Sequence, residues 1–181
     1  MTAGPSLPQK VLAVDRALSD IPHAFGGALS LAYYAEPRAT VDIDVNVFVP
    51  PQEPELAFEP LRRLGVDVTP DDVDRVIRDG QTRVFWGGTP LDMFFAYDDF
   101  HYAARAGVRR VEFADSTIPI LSAEHLIVCK VIFDRPKDWV DIDAILDAGT
   151  SVDAAEILRW VTRVVGDEDH RFLRIVAILT G

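Results

Sequence analysis

Asp42 and Asp44 are the two residues of this sequence best suited to bind a metal ion. They lie in RATVDIDVNVFV, residues 38–49, where apolar and polar side chains alternate from Val41 to Val49. This alternation predicts a β-strand with both carboxylates on one face. Carboxylates held that close raise each other's pKa unless a cation lies between them. The polar face therefore either meets solvent or binds a divalent metal such as Mg²⁺.

A third carboxylate, Asp92, stands in the apolar segment TPLDMFF, residues 89–95. This segment and residues 83–86 flank Gly87-Gly88, a pattern that predicts a β-hairpin. An ionised carboxylate on a largely buried strand needs hydrogen bonds, a cationic partner or a metal. Asp92 either completes a metal site with the first two aspartates or caps a turn beside the hairpin.

A glycine pair, Gly26-Gly27, separates a short apolar strand at residues 21–25 from a predicted helix at residues 28–35. Free backbone N–H groups at such a turn can bind phosphate, and glycine allows a ligand to approach closely. The same pair also occurs where a tight turn is the only requirement. Both interpretations stay open at this point.

Charged residues are concentrated in KVIFDRPKDWVD, residues 130–141, within an otherwise apolar region. Lys130 lies in a predicted apolar helix, where its aliphatic stem can pack while its ammonium group reaches a cleft and binds phosphate. The alternative is that Lys130 extends to solvent while Lys137 pairs with Asp141 at i,i+4 spacing.

The composition is that of a folded soluble protein: 181 residues, 49% hydrophobic and 26% charged. A single cysteine excludes an internal disulfide, and four histidines without a zinc-like spacing make a structural zinc site improbable. We expect a protein of the reducing cytoplasm. The N-terminus has no signal-peptide pattern and no apolar stretch is long enough to span a bilayer, so we expect neither secretion nor a membrane partner.

The formal net charge of −11 argues against a surface that binds nucleic acid throughout. A local basic patch remains compatible with this charge, and the excess of acidic residues is milder after residue 104. Four arginines of the C-terminal part are either contacts for RNA phosphates or solvated helix positions: Arg159, Arg163, Arg171 and Arg174.

The order of the predicted elements indicates a mixed α/β (α+β) protein with a strand-rich part, residues 1–118, and a helical C-terminal part, residues 119–181. Further strands are expected within residues 107–120. The remaining predicted helices cover residues 9–20, 56–64 and 69–80, and the segments that follow Ser122, with Asp153 beginning one of them.

The combination of a glycine pair, a DxD strand fifteen residues later, a lone aspartate and then lysines resembles the nucleotidyltransferases of the DNA polymerase beta superfamily. FGGALSLAYYAEPRATVDIDVNVFV and KVIFDRPKDWVDI are similar, more closely, to the AbiEii-type branch, which contains toxin halves of bacterial toxin–antitoxin pairs. The likeness covers residues 25–49 and 130–142 well, Asp92 plausibly, and the last forty residues hardly at all.

This resemblance implies a minimal nucleotidyltransferase fold, a mixed β-sheet with flanking helices. It implies that Asp42, Asp44 and Asp92 bind Mg²⁺ or Mn²⁺ and act in catalysis together with Lys137. The residues it implies for nucleotide binding are Gly26, Gly27, Arg38, Thr40, Lys130, Asp138 and Asp141.

The implied reaction is attack of a hydroxyl on the α-phosphate of a nucleoside triphosphate with loss of pyrophosphate. The implied acceptor is RNA, with the 3′ end of tRNA first, so that modification blocks translation, and a cognate antitoxin is the expected protein partner. The alternatives are transfer to a small hydroxylated molecule or a protein, a metal-dependent phosphohydrolase, and a non-catalytic nucleotide-binding partner.

Overall fold

A computed structural model describes residues 4–181, which form a six-stranded mixed sheet with helices packed against it. The strands are β1 (His23–Phe25), β2 (Ile43–Val47), β3 (Gln81–Trp86), β4 (Thr89–Phe95), β5 (Arg109–Phe113) and β6 (Ser116–Ile120). The helices are α1 (Leu7–Ala17), α2 (Gly27–Leu31), α3 (Glu55–Arg63), α4 (Pro70–Asp79), α5 (Asp99–Ala106), α6 (Ala123–Phe133), α7 (Pro136–Asp147), α8 (Ala154–Val165) and α9 (His170–Thr180).

The sheet places β2, the strand with the DxD sequence, at an interior position. The strand order is β3-β4-β2-β1-β6-β5. β2 runs parallel to β4 and antiparallel to β1, and β1 runs parallel to β6. The antiparallel pairs β3–β4 and β5–β6 are hairpins that form the two edges. The predicted mixed α/β class is confirmed.

One hydrophobic core extends over both parts of the chain. Ile43, Val45 and Val47 of β2 are fully buried in it, as the alternating pattern predicted. Helix α6 is buried on nearly all sides and joins the sheet to the C-terminal helices. Residue 118, the predicted boundary, falls inside β6. The division into residues 1–118 and 119–181 stays a prediction.

Most predicted elements are confirmed, and their ends follow recognisable caps. Thr69 caps α4 by accepting a hydrogen bond from the backbone N–H of Asp72, with Pro70 at the first helical position. Asp153 caps α8 in the same way with Glu156. The hairpin turn at Gly87-Gly88 and the four C-terminal helices lie where the sequence places them.

Several boundaries differ from the sequence prediction. The strand predicted at residues 41–49 is shorter, because pairing with β4 begins at Ile43 and Val41 is 71% exposed. Helix α2 ends at Leu31 rather than reaching residue 35. Helix α1 begins at Leu7 rather than at residue 9, because Ser6 forms its N-terminal capping box. It ends at Ala17 rather than at residue 20.

Helix α5 was not predicted. It buries only Phe100 and Ala104, which is too few apolar positions to give a clear helical pattern in the sequence. Its N-cap is Asp98, which accepts a hydrogen bond from the backbone N–H of His101. No helix within residues 4–181 is both long enough and apolar enough to cross a membrane.

Candidate active site

The register of two parallel strands brings the predicted carboxylates together. Asp44 of β2 and Asp92 of β4 are direct register partners. Side chains of neighbouring strands at paired positions point to the same face of a sheet. Asp42 precedes Asp44 by two residues, immediately before β2, and its carboxylate is near enough to share a cation with Asp92. The sheet therefore brings Asp92 close to Asp42 and Asp44, although about fifty positions separate it from them in the sequence.

Burial and negative neighbours act together on Asp44. Removal from water raises the pKa of its carboxyl first, and the charges of Asp92 and Asp42 raise it further. Lys130 and Arg135 act in the opposite direction, and the resulting pKa is about 6. The two cations therefore offset only part of the effect that burial and the neighbouring carboxylates have on Asp44.

Arg83 supplies a cation at this cluster. Its Nε and Nη2 donate to the two carboxylate oxygens of Asp92, each at 2.7 Å, and Nη2 lies 3.5 Å from Oδ2 of Asp42. The sequence analysis missed this residue, although the hairpin contained the signal. A two-residue turn pairs Trp86 with Thr89, and counting back along both strands pairs Arg83 with Asp92.

The donor set suits a hard divalent cation. Three carboxylates offer oxygen ligands, which Mg²⁺ and Mn²⁺ prefer. Among residues 4–181 no three acidic, histidine or cysteine side chains already converge as a metal site. Both carboxylate oxygens of Asp92 instead accept hydrogen bonds from the Arg83 guanidinium. The positive charge of Arg83 therefore lies where a metal ion bound to Asp92 would lie. Asp42, Asp44 and Asp92 therefore fit a metal once that ion pair opens.

The glycine pair packs directly on the DxD strand. Gly27 has φ +51°, and a Cβ built there would lie 1.9 Å from Oδ2 of Asp44. Gly26 donates its backbone N–H to the Asp44 carbonyl at 3.0 Å, and its own Cβ would lie 2.9 Å from Nδ2 of Asn46. A side chain at either position would collide with Asp44 or Asn46, so the packing of the turn on β2 by itself requires both glycines.

Lys130 is the centre of a buried network of ion pairs on the other side of the cleft. It is only 4% exposed, and its ammonium donates to Asp141 at 2.6 Å and lies 3.8 Å from Asp138. Arg38 donates to both oxygens of Asp141, at 3.2 and 3.1 Å, and Arg135 does the same to Asp138, at 2.7 and 3.1 Å.

This network favours the ionised form of Asp141. Burial raises the pKa of Asp141, but the hydrogen bonds and charges of Arg38 and Lys130 outweigh that effect and hold it below its ordinary value. The network also links the segment before β2 to helices α6 and α7. Three residues predicted to contact nucleotide, Arg38, Asp138 and Asp141, here hold Lys130 and one another in place.

Lys137 and Thr40 lie apart from these contacts. Lys137 is exposed on α7 and does not line the cleft, and the pair with Asp141 considered above does not form because Asp141 binds Lys130 and Arg38. Thr40 accepts a hydrogen bond from the backbone N–H of Asp42 at 3.2 Å through its hydroxyl. It therefore fixes the chain at the entry to β2.

A cleft of about 980 Å³, partly open to solvent, is lined by Asp44 of the acidic cluster and by Lys130, Arg135 and Asp138 of the buried network. Gly26, Gly27, Asp44, Lys130 and Arg135 line its floor and sides. Cys129 also lines it, and burial raises the pKa of its thiol to about 12, so that it stays protonated and unreactive. The aromatic side chains along the wall are Phe94, Phe95, Tyr97, Phe100, His101 and Phe133.

The sequence analysis did not assign Arg135 or the aromatic wall. Arg135 lies inside the quoted segment KVIFDRPKDWVDI, next to the predicted lysine and aspartates, so its position was the available signal. The aromatic residues come from β4, the following loop, α5 and α6. No spacing in the sequence brings those elements together, since only the folded sheet and helices do so.

The four C-terminal arginines are already engaged within the chain. The contacts are Arg159 with Glu156, Arg163 with Asp99, Arg171 with Asp169, and Arg174 over the ring of Trp139. The three ion pairs, those of Arg159, Arg163 and Arg171, reduce the positive charge that this part of the chain presents to a polyanion.

Carboxylates converge here from two neighbouring parallel strands, and one of them, Asp44, shares a cleft with a glycine turn and a buried lysine, an arrangement that fits a nucleotidyltransferase. Residues 11–179 match the family described as "Nucleotidyl transferase AbiEii toxin, Type IV TA system", and the chain belongs to this family. The resemblance drawn from the sequence is thereby confirmed, including the toxin–antitoxin branch. The chain is an enzyme of the nucleotidyltransferase class.

Solved structures with a similar fold are also nucleotidyltransferases. The antibiotic-resistance factor ANT(2'')-Ia superposes with a TM-score of 0.61 and 16% identity, covering 95% of this chain and 94% of that one. The lincosamide antibiotic adenylyltransferase LnuA gives 0.52 and 14% identity, over 77% and 94% of the two chains.

A third structure, an antigenic nucleotidyltransferase-like protein from Paracoccidioides brasiliensis, gives a TM-score of 0.51 and 13% identity, over 96% and 86% of the two chains. These likenesses confirm the predicted nucleotidyltransferase fold. A search of curated protein sequences found no match.

Proposed function

We propose that this chain is a metal-dependent toxin of the cytoplasm that transfers a nucleotide from a nucleoside triphosphate to RNA, with the 3′ end of tRNA as acceptor. The observation that carries the proposal is the convergence of Asp42, Asp44 and Asp92 on two neighbouring strands, with Asp44 lining the same cleft as Lys130. Modification of that end would block aminoacylation and hence translation.

Each side of the cleft has a separate task in this reaction. Asp42, Asp44 and Asp92 hold the divalent cation, which when bound stabilises negative charge on the attacking and leaving oxygens. A carboxylate oxygen of Asp92 accepts the proton of the attacking hydroxyl. The backbone at Gly26 and Gly27 lies beside Asp44, close enough for the phosphates of a nucleotide bound there.

The cations of the other side favour the triphosphate. Lys130 and Arg135 both line the cleft and both lower the pKa of Asp44, so their charge reaches the site of reaction. Asp138 and Asp141 hold these two cations at fixed positions. A preorganised positive potential stabilises the charge that develops on the leaving pyrophosphate.

A polyanionic acceptor has a route to the carboxylates. A second groove of about 840 Å³ meets the first at Asp44 and Arg135, and Arg75 and Arg83 line it together with Asp92. Three arginines beside the acidic cluster suit the phosphates of an RNA end in a chain whose net charge is −11. The family also implies an antitoxin as protein partner.

A small hydroxylated acceptor is the second candidate. The strongly acidic chain and the internal pairing of the C-terminal arginines both favour an uncharged or cationic acceptor over a long RNA. Such a molecule would occupy the same groove and present its hydroxyl to Asp92.

The test is incubation of the purified protein with Mg²⁺, total tRNA and each nucleoside triphosphate in turn, labelled at the α-phosphate. Label that enters tRNA with wild type, and not with Asp42→Ala or in the presence of a chelator, supports the proposal and identifies the nucleotide. No label in tRNA with any nucleotide, while Mg²⁺–nucleotide binding is measurable, rejects tRNA as acceptor and favours the small-molecule candidate.

A further inference from the structure

We propose that Arg83 is an internal counter-ion that a divalent cation has to displace from Asp92 and Asp42. This inference rests on the metal site of the proposed function and assigns a new role to a residue outside it. The ion pair lowers the affinity of the site for a metal ion that binds without substrate. An anionic substrate that binds Arg83 raises that affinity.

The contacts of Arg83 are those of a cation in a binding site. Its guanidinium spans both oxygens of Asp92 at 2.7 Å and approaches Oδ2 of Asp42 at 3.5 Å. Two of the three carboxylates that suit a metal are therefore engaged by this one side chain. A bidentate arginine–carboxylate pair is among the stronger polar contacts in proteins, so a metal ion cannot bind Asp92 fully while the pair persists.

The position of Arg83 allows it to leave. It lies on β3, the edge strand of the sheet, and its side chain is 49% exposed. The side chain of Lys130, by contrast, is 6% exposed and has two buried carboxylates around it. A displaced Arg83 enters water at little cost, whereas a displaced Lys130 would leave two buried carboxylates with fewer partners.

Displacement also gives Arg83 a new partner. The groove that it lines also contains Arg75 and Arg135. A phosphate of the nucleotide or of the acceptor in this groove would bind the freed guanidinium and hold it away from Asp92. Metal and anionic substrate therefore bind cooperatively, because each favours the same position of one side chain.

The experiment measures binding of Mn²⁺ to the full chain without nucleotide, from the electron paramagnetic resonance signal of the free ion. Arg83→Gln is expected to bind Mn²⁺ about five- to tenfold more tightly than wild type, since an ion pair of this kind contributes about 1 kcal/mol or somewhat more. Arg83→Lys, which keeps the charge but not the two-point contact, is expected to fall between them.

Arg75→Gln is the matched control, because it removes the same charge from the same groove while Arg75 pairs with Asp72 rather than with the cluster. Equal tightening in Arg75→Gln and Arg83→Gln would show a general charge effect and overturn the proposal. Unchanged binding in Arg83→Gln would overturn it too.

Failure of the proposed function gives a different pattern. In that case no variant binds Mn²⁺, with or without nucleotide, or Asp42→Asn binds it as well as wild type does. Since Arg83→Gln could alter folding, the wild-type protein provides an independent readout. The Nε–H resonance of Arg83 should lose its hydrogen-bonded shift when Mg²⁺ is added, and an unshifted resonance at saturating Mg²⁺ would contradict displacement.

Discussion

The two charged clusters that contribute residues to the cleft are built in opposite ways. The cluster of Asp42, Asp44 and Asp92 has three carboxylates and one half-exposed direct cationic partner. The cluster around Lys130 pairs two carboxylates with three cations, and Lys130, Asp138 and Asp141 are all buried. One cluster lacks positive charge, and the other is satisfied from within.

This difference separates residues that exchange partners from residues that keep them. A carboxylate with a replaceable partner can bind a metal during the reaction, whereas breaking a buried and satisfied pair is costly. We therefore expect substitutions in the acidic cluster to affect chemistry and substitutions in the Lys130 network to affect folding first. The following predictions test this contrast.

The largest expected effect on stability follows from Lys130→Met. The substitution keeps much of the side-chain volume but leaves Asp141 and Asp138 with fewer partners in the core, so unfolding should become easier by about 3 kcal/mol. Urea denaturation of wild type and variant measures this. Lys137→Met is the matched control, because Lys137 is exposed on the neighbouring helix, and it should unfold as wild type does.

Asp42→Asn should show the reverse pattern. Loss of a metal ligand should lower nucleotide transfer by at least about 100-fold, since even residues that only support a metal ligand commonly contribute 10- to 100-fold. Stability should stay the same or increase, because one source of repulsion is removed. Asp143→Asn, an exposed aspartate of α7, makes the same charge change and should keep full activity. Equal loss in both would contradict a metal role for Asp42.

Gly27→Ala should lower both nucleotide transfer and stability. The new Cβ would collide with the Asp44 carboxylate, so we expect transfer to fall by about tenfold or more and stability to fall by about 1–2 kcal/mol from the left-handed backbone. Gly87→Ala, at φ +58° with no atom within 4 Å of the added Cβ, should show only the stability loss. Full activity in Gly27→Ala would mean that Asp44 can move without consequence.

The two clusters should respond to pH with opposite signs in metal-free protein. The pKa of Asp44 in the folded state, about 6, is higher than in the unfolded state. Between about pH 4 and 6 the folded state therefore binds more protons than the unfolded state does. The contribution of Asp44 to the free energy of unfolding decreases as the pH rises through that range. The pKa of Asp141 is lowered, so its contribution is present above the unfolded value and is lost as pH falls through the folded value.

Thermal unfolding from pH 3 to 8 in the presence of a chelator measures both contributions by difference. Relative to wild type, Asp44→Asn should gain stability as pH rises to about 6 and then stay constant. Asp141→Asn should be less stable than wild type above about pH 4, where the unfolded carboxyl is ionised, and this difference should shrink as the pH falls below that value. A common sign for both variants would remove the distinction between the clusters.

The smallest expected effect concerns the predicted catalytic role of Lys137. An exposed lysine outside the cleft contributes little to the local potential, so Lys137→Ala should lower transfer by less than about threefold. Steady-state kinetics against wild type measures this. A loss of 100-fold or more would assign Lys137 to the reaction after all and imply that α7 moves when substrate binds.

The sequence predicted those features that depend on local pattern. Alternation on β2, the hairpin at Gly87-Gly88 and the caps at Thr69 and Asp153 all follow from a few adjacent residues. The order of glycine pair, DxD and later aspartate was sufficient for the family. The partners of the cations were harder to predict, since Lys130 was expected to reach phosphate in a cleft or to extend to solvent, and Lys137 was considered as the partner of Asp141.

The missed parts depend on contacts between distant elements. Arg38 reaches Asp141 across 103 positions, and the aromatic wall joins β4 to α5 and α6. Such contacts have no period or spacing in the sequence. Arg83 is the exception, because the hairpin register alone pairs it with Asp92, so the cation at the acidic cluster could have been found before the structure.

The most direct test of the central claim is a crystal structure of the protein with Mn²⁺ and a non-hydrolysable nucleoside triphosphate, with anomalous diffraction recorded to locate the metal. We expect an anomalous peak within ligand distance of the oxygens of Asp42 and Asp44, the triphosphate facing Lys130 and Arg135, and the Lys130 network unchanged. A metal bound elsewhere, or a nucleotide bound with no metal at these aspartates, would contradict the account.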